Sequence, residues 1–210
     1  MKVILVNGSP HQKGCTYTAL EEAAKALRTE GIDTEIFQIG TKPIVGCMAC
    51  GTCQEKGSCV FDDRVNEFLS LAKDADGFIF GSPVYYASAN GALTAFMDRA
   101  FFSDMWSGRQ SFYLKPAAAV VSARRAGTTA AFDQLNKYFT ISQMPVISSQ
   151  YWNMVHGFTP EDVQKDLEGL QTMRTLGKNM AWFLKCKEAG IKAGVPLPAQ
   201  EEHVATNFIR

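Results

Sequence analysis

A chain of 210 residues, 46% of them hydrophobic, can bury a substantial core, and we expect it to form one domain. Its 21 lysines and arginines balance its 21 aspartates and glutamates, so nothing in the composition indicates a nucleic-acid-binding surface or a polybasic membrane anchor. The first apolar run ends at Asn7, too early for a signal peptide or a membrane span. We therefore expect a cytoplasmic protein whose partners are small molecules or proteins.

Five short apolar, β-branched or aromatic runs alternate along the chain with segments of helical periodicity. The runs are typical of strands buried on both faces, and they cover residues 2–6, 34–39, 77–82, 117–123 and 145–150. The helical segments cover residues 16–31, 62–77, 90–102, 128–140 and 159–190. This alternation predicts an α/β fold with a parallel sheet, right-handed crossovers and helices on both faces.

The loop after the first predicted strand has the composition of an anion site. It reads NGSPHQKGCTYT and precedes a helix that we expect to begin near Cys15. Hydroxyls and free amides at a helix N-terminus suit a phosphate monoester, whereas the loop lacks the Walker A lysine and the G-x-G-x-x-G pattern. The alternative is a capped loop in which serine and threonine serve turn chemistry. The candidate residues are Ser9, Gly14, Thr16, Tyr17 and Thr18.

The loops after the third and fourth predicted strands complete a candidate ligand site, because ligands of such sheets bind beyond the carboxyl ends of strands. The first of them reads GSPVYYASANG, and its bulky groups are suited to flank a flat ring. The second reads SARRAGTTAAF and offers donors and positive charge. The alternatives are tyrosines that only pack a helix against the sheet and arginines that are solvated. The candidates are Pro83, Val84, Tyr85, Tyr86, Ser122, Arg124, Gly127 and Thr128.

Four of the six cysteines, Cys47, Cys50, Cys53 and Cys59, lie within GCMACGTCQEKGSC in a C-x2-C-x2-C-x5-C pattern. In a reducing compartment such clusters are metal ligands or redox groups more often than disulfides. Four thiolates are suitable ligands for iron or zinc, but zinc sites usually pair two C-x2-C units across a longer spacer. An iron-sulfur cluster is therefore favoured over a thiol redox centre, a zinc site or a segment without a ligand. The polar QEKGS stretch predicts a segment without a helix or strand, and Cys186 is expected in the core.

The motifs NGSPHQKGCTYT, GSPVYYASANGALTAFMDR and CMACGTCQEKGSC resemble the flavodoxin-like NAD(P)H-dependent FMN reductases, specifically their iron-sulfur flavoprotein branch, over roughly residues 1–155. The resemblance implies a five-stranded sheet of order 2-1-3-4-5. It implies FMN with its phosphate in the loop from Ser9 to Thr18 and its ring against Pro83 to Tyr86, with further contacts from the loop starting at Ser122. His11 stands where many relatives carry arginine, which weakens the phosphate contact or makes it pH-dependent.

The resemblance also implies a 4Fe-4S cluster on the four clustered cysteines, NAD(P)H as electron donor, and dimers or tetramers that bring the cluster of one subunit near the flavin of another. We expect residues 1–190 to form the FMN domain, with the cysteine-rich insertion at 46–60, and residues 191–210 to form a tail. The expected function is an FMN-dependent oxidoreductase that reduces a flavin, a quinone, oxygen or a ferredoxin.

Two other functions remain open at this point. A flavodoxin-like electron carrier is disfavoured because such carriers are usually strongly acidic, and a cysteine-based redox sensor would show reversible oxidation without turnover. Neither His156 nor His203 has a partner for a nucleophilic triad, and we expect turn or helix-end roles for both. We name no catalytic residue, because in flavin chemistry the cofactor carries the hydride and the electrons. Tyr151, Trp152 and Asn153 could cap the flavin pocket or lie at a subunit interface, and we expect the interface.

Overall fold

The computed structural model describes residues 1–202, 204–206 and 208, and it contains a twisted sheet between two layers of helices. The strands are β1 (Lys2–Asn7), β2 (Asp33–Gln38), β3 (Gly77–Tyr85), β4 (Ser88–Ala89), β5 (Ala117–Ala123) and β6 (Met154–His156). The helices are α1 (Cys15–Thr29), α2 (Thr52–Lys56), α3 (Arg64–Ala72), α4 (Gly91–Trp106), α5 (Thr128–Ile141), α6 (Pro160–Val163) and α7 (Leu167–Lys192).

Five of the strands are parallel and follow the order β2-β1-β3-β5-β6, while β4 folds back antiparallel onto β3. Numbered among the parallel strands alone, this is the predicted order 2-1-3-4-5, which is confirmed. Alternate residues of β1 enter different cores: Val3 and Leu5 pack with α1 and α7, and Ile4 and Val6 pack with α3 and α4. Both faces of the strand are buried, which explains its continuous apolar sequence.

The fifth parallel strand lies later in the chain than the predicted 145–150. Val146 makes only one parallel bridge, to Ala117, and the chain then leaves the sheet. Ser149 Oγ donates to the Tyr151 carbonyl oxygen at 2.6 Å and lies 2.8 Å from Asn153 Oδ1, which closes a loop. Local side-chain hydrogen bonds of this kind compete with strand pairing. Pairing with β5 therefore resumes at Met154, and His156 ends this strand instead of lying in a turn or at a helix end.

The predicted last helix at 159–190 is interrupted. Thr159 and Asp162 form a capping box that begins the single turn of α6, and the Asp166 side chain then accepts from Gly169 N at 2.9 Å and begins α7. Two further predictions are wrong. The QEKGS stretch, expected to contain no helix or strand, contributes to α2, and Cys186, expected in the core, is exposed on α7. His203 and part of the predicted 191–210 tail lie outside the described residues.

None of the helices in the described part of the chain is both long and apolar enough to cross a membrane.

The contact between α1 and α7 depends on Gly177, and this generates a stability prediction. A Cβ atom at Gly177 would lie 2.6 Å from the Ala23 carbonyl oxygen and 2.7 Å from Ala26 Cβ. Gly177→Ala should therefore lower the free energy of unfolding by about 1–3 kcal/mol, since the helices must move apart. The matched control is Gly190→Ala on the same helix, whose nearest neighbour would be Val195 Cβ at 4.0 Å. It should raise stability by up to about 1 kcal/mol through helix propensity.

Urea denaturation of both variants measures the difference. Equal stabilisation by the two substitutions would show that α1 and α7 are not in close contact at Gly177.

Candidate functional site

The loop between β1 and α1 is shaped by the buried side chain of Asn7. Its Oδ1 accepts from Ser9 N at 3.1 Å, and its Nδ2 donates to the carbonyl oxygens of His11 and Gln12 at 3.5 and 3.3 Å. Ser9 Oγ accepts from His11 N at 3.1 Å. The N-cap residue of α1 is Gly14, which has no side chain to cap the helix. The first N–H groups of α1 can therefore serve an anion.

Two close contacts bring the three candidate loops together at the carboxyl edge of the sheet. Thr16 Oγ1 on α1 lies 2.8 Å from Ser122 Oγ on β5, and both side chains are buried. Gly127, with φ of +98°, meets the β3–β4 hairpin so closely that a Cβ atom there would lie 2.6 Å from Ala87 Cα and 2.9 Å from Val84 Cγ1. Only glycine combines this left-handed backbone with this packing.

The β3–β4 hairpin projects two tyrosines from the same edge. Its two loop residues, Tyr86 and Ala87, have φ of +50° and +58°, a left-handed pair as in a type I′ turn. Neither is glycine, so the turn stores strain of a kind that is common at ligand sites. Tyr86 is fully exposed and Tyr85 is 45% exposed, while Pro83 and Val84 are half-buried below them. Two exposed tyrosines thus lie on the hairpin that packs against the Gly127 loop.

The remaining candidate residues at this edge differ in whether their side chains are exposed and whether they already form a hydrogen bond within the protein. Thr18 Oγ1 donates to the Gly14 carbonyl oxygen at 3.2 Å, so this hydroxyl is used within the helix. Tyr17 is half-buried and Thr128 is buried at the start of α5. The side chains of His11 and Arg124 are exposed.

The four clustered cysteines line one cleft beside α4. Cys53 is buried on α2, Cys59 is half-buried, and Cys47 and Cys50 are exposed. Gly51 and Gly57 flank α2 in left-handed conformations, with φ of +73° and +72°, and allow the segment to turn twice. Phe61, Phe102, Arg99 and Ser103 complete the wall on the side of the protein core.

Cys59 is the most firmly held of the four. Arg99 on α4, 1% exposed, places Nε and Nη2 each 3.2 Å from Cys59 Sγ. The same guanidinium donates to Asp63 Oδ2 at 2.7 Å and to Asp63 Oδ1 at 3.0 Å. Asn66 Oδ1 accepts from Cys59 N, and Asn66 Nδ2 donates to the Cys59 carbonyl oxygen, both at 3.0 Å. The backbone and the sulfur of Cys59 are thus fixed independently.

Sequence reasoning did not identify Arg99, Asn66, Ser103 or Asp63 as site residues. The signal for Arg99 was present, because it is a cation inside the largely apolar ALTAFMDRAFF stretch. A charge at such a position is almost never fully buried without a partner. Its partners lie 36 and 40 positions earlier in the chain, and no local pattern connects them.

Different metal groups require different spacings of their thiolate ligands. Within the described residues, no three or more histidine, cysteine, aspartate or glutamate side chains are grouped so that they could hold one metal ion. A zinc ion would gather four ligands at about 2.0–2.3 Å. A four-iron cluster binds each thiolate to a different iron and spreads the ligands more widely. The Ser103 hydroxyl is buried in this wall without a partner among the described residues, so a donor is available for an anionic group.

Residues 1–159 match the family model described as NADPH-dependent FMN reductase. The chain belongs to this family. It is 36% identical to an iron-sulfur flavoprotein of Methanocaldococcus jannaschii, over 88% of this chain and 98% of the relative. An iron-sulfur flavoprotein of Methanosarcina thermophila is 26% identical, over 88% and 96%. The fold is similar to that of a WrbA-like flavodoxin from Agrobacterium tumefaciens, with a TM-score of 0.62 and 15% identity over 88% and 96%.

The predicted family and its iron-sulfur flavoprotein branch are therefore confirmed. This FMN reductase family member is a flavin-dependent oxidoreductase, and membership of the family supports FMN and NAD(P)H as its cofactor and electron donor.

The thiols of this family member differ in acidity, which generates a pH-dependent prediction. Hydrogen bonds from Thr52 lower the pKa of the Cys50 thiol, whereas burial raises the pKa of the Cys53 thiol. A lowered pKa means that the reactive thiolate is present at lower pH. In metal-free, reduced protein, iodoacetamide should therefore modify Cys50 before Cys53 as pH rises from 6 to 9. Peptide mass spectrometry after timed quenching measures both rates.

Thr52→Val should slow modification of Cys50 near neutral pH, because the hydroxyl that stabilises the thiolate is removed. Cys186, exposed on α7, is the internal control and should react at an unchanged rate. Faster modification of Cys53 than of Cys50 across this pH range would contradict the assignment.

Proposed function

We propose that this oxidoreductase binds FMN at the carboxyl edge of the sheet and a 4Fe-4S cluster on Cys47, Cys50, Cys53 and Cys59. It takes electrons from NAD(P)H or a small carrier and delivers them to a flavin, a quinone or another acceptor. The observation that carries the proposal is that all four cysteines line one cleft, whose wall supplies a buried guanidinium to Cys59 Sγ.

The phosphate of FMN fits the start of α1. The backbone N–H groups that follow Gly14 and the positive end of the helix dipole both favour an anion there. Thr16 and Ser122 share one hydrogen bond between two buried hydroxyls, so one of the two protons is not used in that bond and can be donated to a phosphate that reaches it. Ser9 and Tyr17 complete the phosphate loop, and the exposed His11 side chain lies in the same loop. The hydroxyl and the backbone N–H of Thr18 both donate to the Gly14 carbonyl oxygen, so Thr18 contributes to the loop by holding the first turn of α1.

The isoalloxazine ring fits against Pro83, Val84, Tyr85 and Tyr86, whose apolar surface excludes water from one side of a flat ring. Gly127 and Thr128 close the neighbouring loop, and Arg124 supplies positive charge beside it. When bound, FMN supplies the hydride and electron chemistry. The residues of the chain bind the phosphate, orient the ring and exclude water, and no side chain has to act as nucleophile.

The cluster fits the cysteine segment because thiolates are the ligands that such clusters require, and because donors line the same cleft. When bound, it supplies one-electron transfer. Exposed Met48 and Val60 border the cleft, and exposed Tyr151 and Trp152 precede β6. These surfaces support a homodimer or homotetramer in which the cluster of one subunit lies near the flavin of another, and a ferredoxin is an alternative electron partner.

The proposal assigns residues 1–190 to the FMN domain, residues 46–60 to its cluster-binding insertion and residues 191–210 to a tail, of which 191 and 192 still belong to α7. All six cysteines are free thiols, which supports a reducing, cytoplasmic location.

Thr16→Val tests the FMN site. The substitution keeps the shape of the side chain and removes its hydroxyl, so FMN affinity should fall about tenfold, as for the loss of one hydrogen bond to a charged group. Quenching of flavin fluorescence on titration with protein measures the affinity. Thr29→Val is the matched control, because Thr29 lies at the far end of α1 and its hydroxyl donates to the Lys25 carbonyl oxygen. Equal affinity of the Thr16→Val protein and the wild type, both folded, would refute the assignment.

Cys50→Ser tests the cluster site. Anaerobically reconstituted wild-type protein should contain about four irons per chain and absorb broadly beyond the flavin bands, and Cys50→Ser should lose most of both while retaining flavin. Cys186→Ser removes an exposed thiol from α7 and should behave as the wild type. A wild-type protein that takes up no iron, with four freely reactive thiols in the segment, would contradict the cluster and leave the flavin site standing.

A further inference from the structure

We propose that Arg99 is a positioning residue that fixes Cys59 for the cluster and raises the reduction potential of the cluster, and that Asp63 sets the size of this effect by partly neutralising the guanidinium. This inference rests on the cluster proposed above and adds two residues outside the cysteine motif.

The guanidinium of Arg99 is fixed on every side. Nε and Nη2 point at Cys59 Sγ, and Nη1 and Nη2 bind the Asp63 carboxylate as a fork. The carbonyl oxygens of Val45 and Phe61 each lie 3.4 Å from a terminal nitrogen, and the Phe61 ring centroid lies 4.9 Å from the Arg99 Cζ atom. A planar group held by so many partners has one orientation, so the sulfur that it contacts is held as well.

Packing alone does not account for a cation at this place. The neighbours of Arg99 along α4 include the buried Phe96, Met97 and Ala100, and an apolar residue of similar volume would pack there without the cost of burying a charge. The guanidinium instead connects α4 to both ends of the segment Cys59–Asp63. Its position therefore indicates a role toward the sulfur.

The cysteines are held unequally, which gives Arg99 its positioning role. Cys59 is anchored by Arg99 at its sulfur and by Asn66 at its backbone, whereas Cys47 and Cys50 are exposed on the preceding turn. A site in which one ligand is already placed loses less conformational entropy when the other ligands close around the metal group. Arg99 should thus favour assembly of the cluster.

The electrostatic role follows from charge. Reduction by one electron adds one negative charge to the cluster, and hydrogen bonds to a ligand sulfur and a nearby cation both stabilise the more negative state. The interaction is strong because the guanidinium is buried, where screening by water is weak. The carboxylate of Asp63 opposes it. Removing the positive charge should therefore lower the potential, and removing the negative charge should raise it.

The chain offers substitutions that separate charge from shape. Asp63→Asn removes the negative charge but preserves an acceptor for Arg99 and a good N-cap for α3, which Asp63 caps by accepting from Val65 N at 3.0 Å. Arg99→Gln removes the positive charge, and Arg99→Lys keeps the charge but loses the planar fork. Arg28→Gln is the matched control, because it removes one exposed arginine from α1 on the opposite face of the sheet.

The experiment reconstitutes the full chain anaerobically and titrates it with dithionite at controlled potential, following the reduced cluster by electron paramagnetic resonance. The expected order of midpoint potentials is Asp63→Asn highest, then the wild type together with Arg28→Gln, then Arg99→Gln lowest. Arg99→Lys should stay closer to the wild type than Arg99→Gln in potential. Both Arg99 variants should lose iron faster than the wild type on exposure to air.

Unshifted potentials in Asp63→Asn and Arg99→Gln, or shifts in the same direction, would overturn the inference while leaving the cluster in place. If Arg99→Gln does not fold, the comparison of Asp63→Asn with Arg28→Gln decides alone, since only the former should raise the potential. Failure of the wild type to take up iron would remove the cluster itself and is distinguishable from both results.

Discussion

The central constraint of this fold is that β1, β5 and most of β3 are buried on both faces, so a polar ligand cannot bind to the faces of these strands. The residues from Val3 to Val6 are fully buried, and so are Phe78 to Phe80. Polar chemistry is therefore confined to the strand ends and to segments inserted between elements. The protein uses both: hydroxyl-bearing loops collect at the carboxyl edge, and the cysteine segment is inserted between β2 and α3.

At the carboxyl edge, the loops are held to one another by contacts that require either a particular side chain or a glycine. Thr16 and Ser122 connect the loops after β1 and β5, and Gly127 allows the β5 loop to lie against Ala87 of the hairpin. The cysteine segment depends instead on the helix layer, because Arg99 reaches from α4 to Cys59 and Asp63. The two candidate sites thus rest on different parts of one scaffold, and one can be altered without unfolding the other.

The sequence predicted those features that depend on local composition. Continuous apolar runs identified β1, β3 and β5, and once the strands alternate with helices, the position of the polar loops follows from topology. The close spacing of the cysteines identified their segment. The fifth strand could not be placed in this way, because the 145–150 stretch and β6 each contain adjacent apolar residues and the hydrogen bond between Ser149 and Asn153 determines which of them pairs with β5. Arg99 was missed for a different reason, since its partners are distant in sequence. Cys186 was misassigned because α7 packs through only one face, where Leu184 is buried and Cys186 is not.

The most direct test of this account is an anaerobic crystal structure of the protein reconstituted with iron, sulfide and FMN, with anomalous data collected at the iron edge. The account predicts an iron peak in the cleft between Cys53, Cys59 and Arg99, and phosphate density at the N-terminus of α1 with the flavin ring against the β3–β4 hairpin. The absence of an anomalous iron peak in the cleft, together with flavin bound away from the β1, β3 and β5 loops, would contradict it.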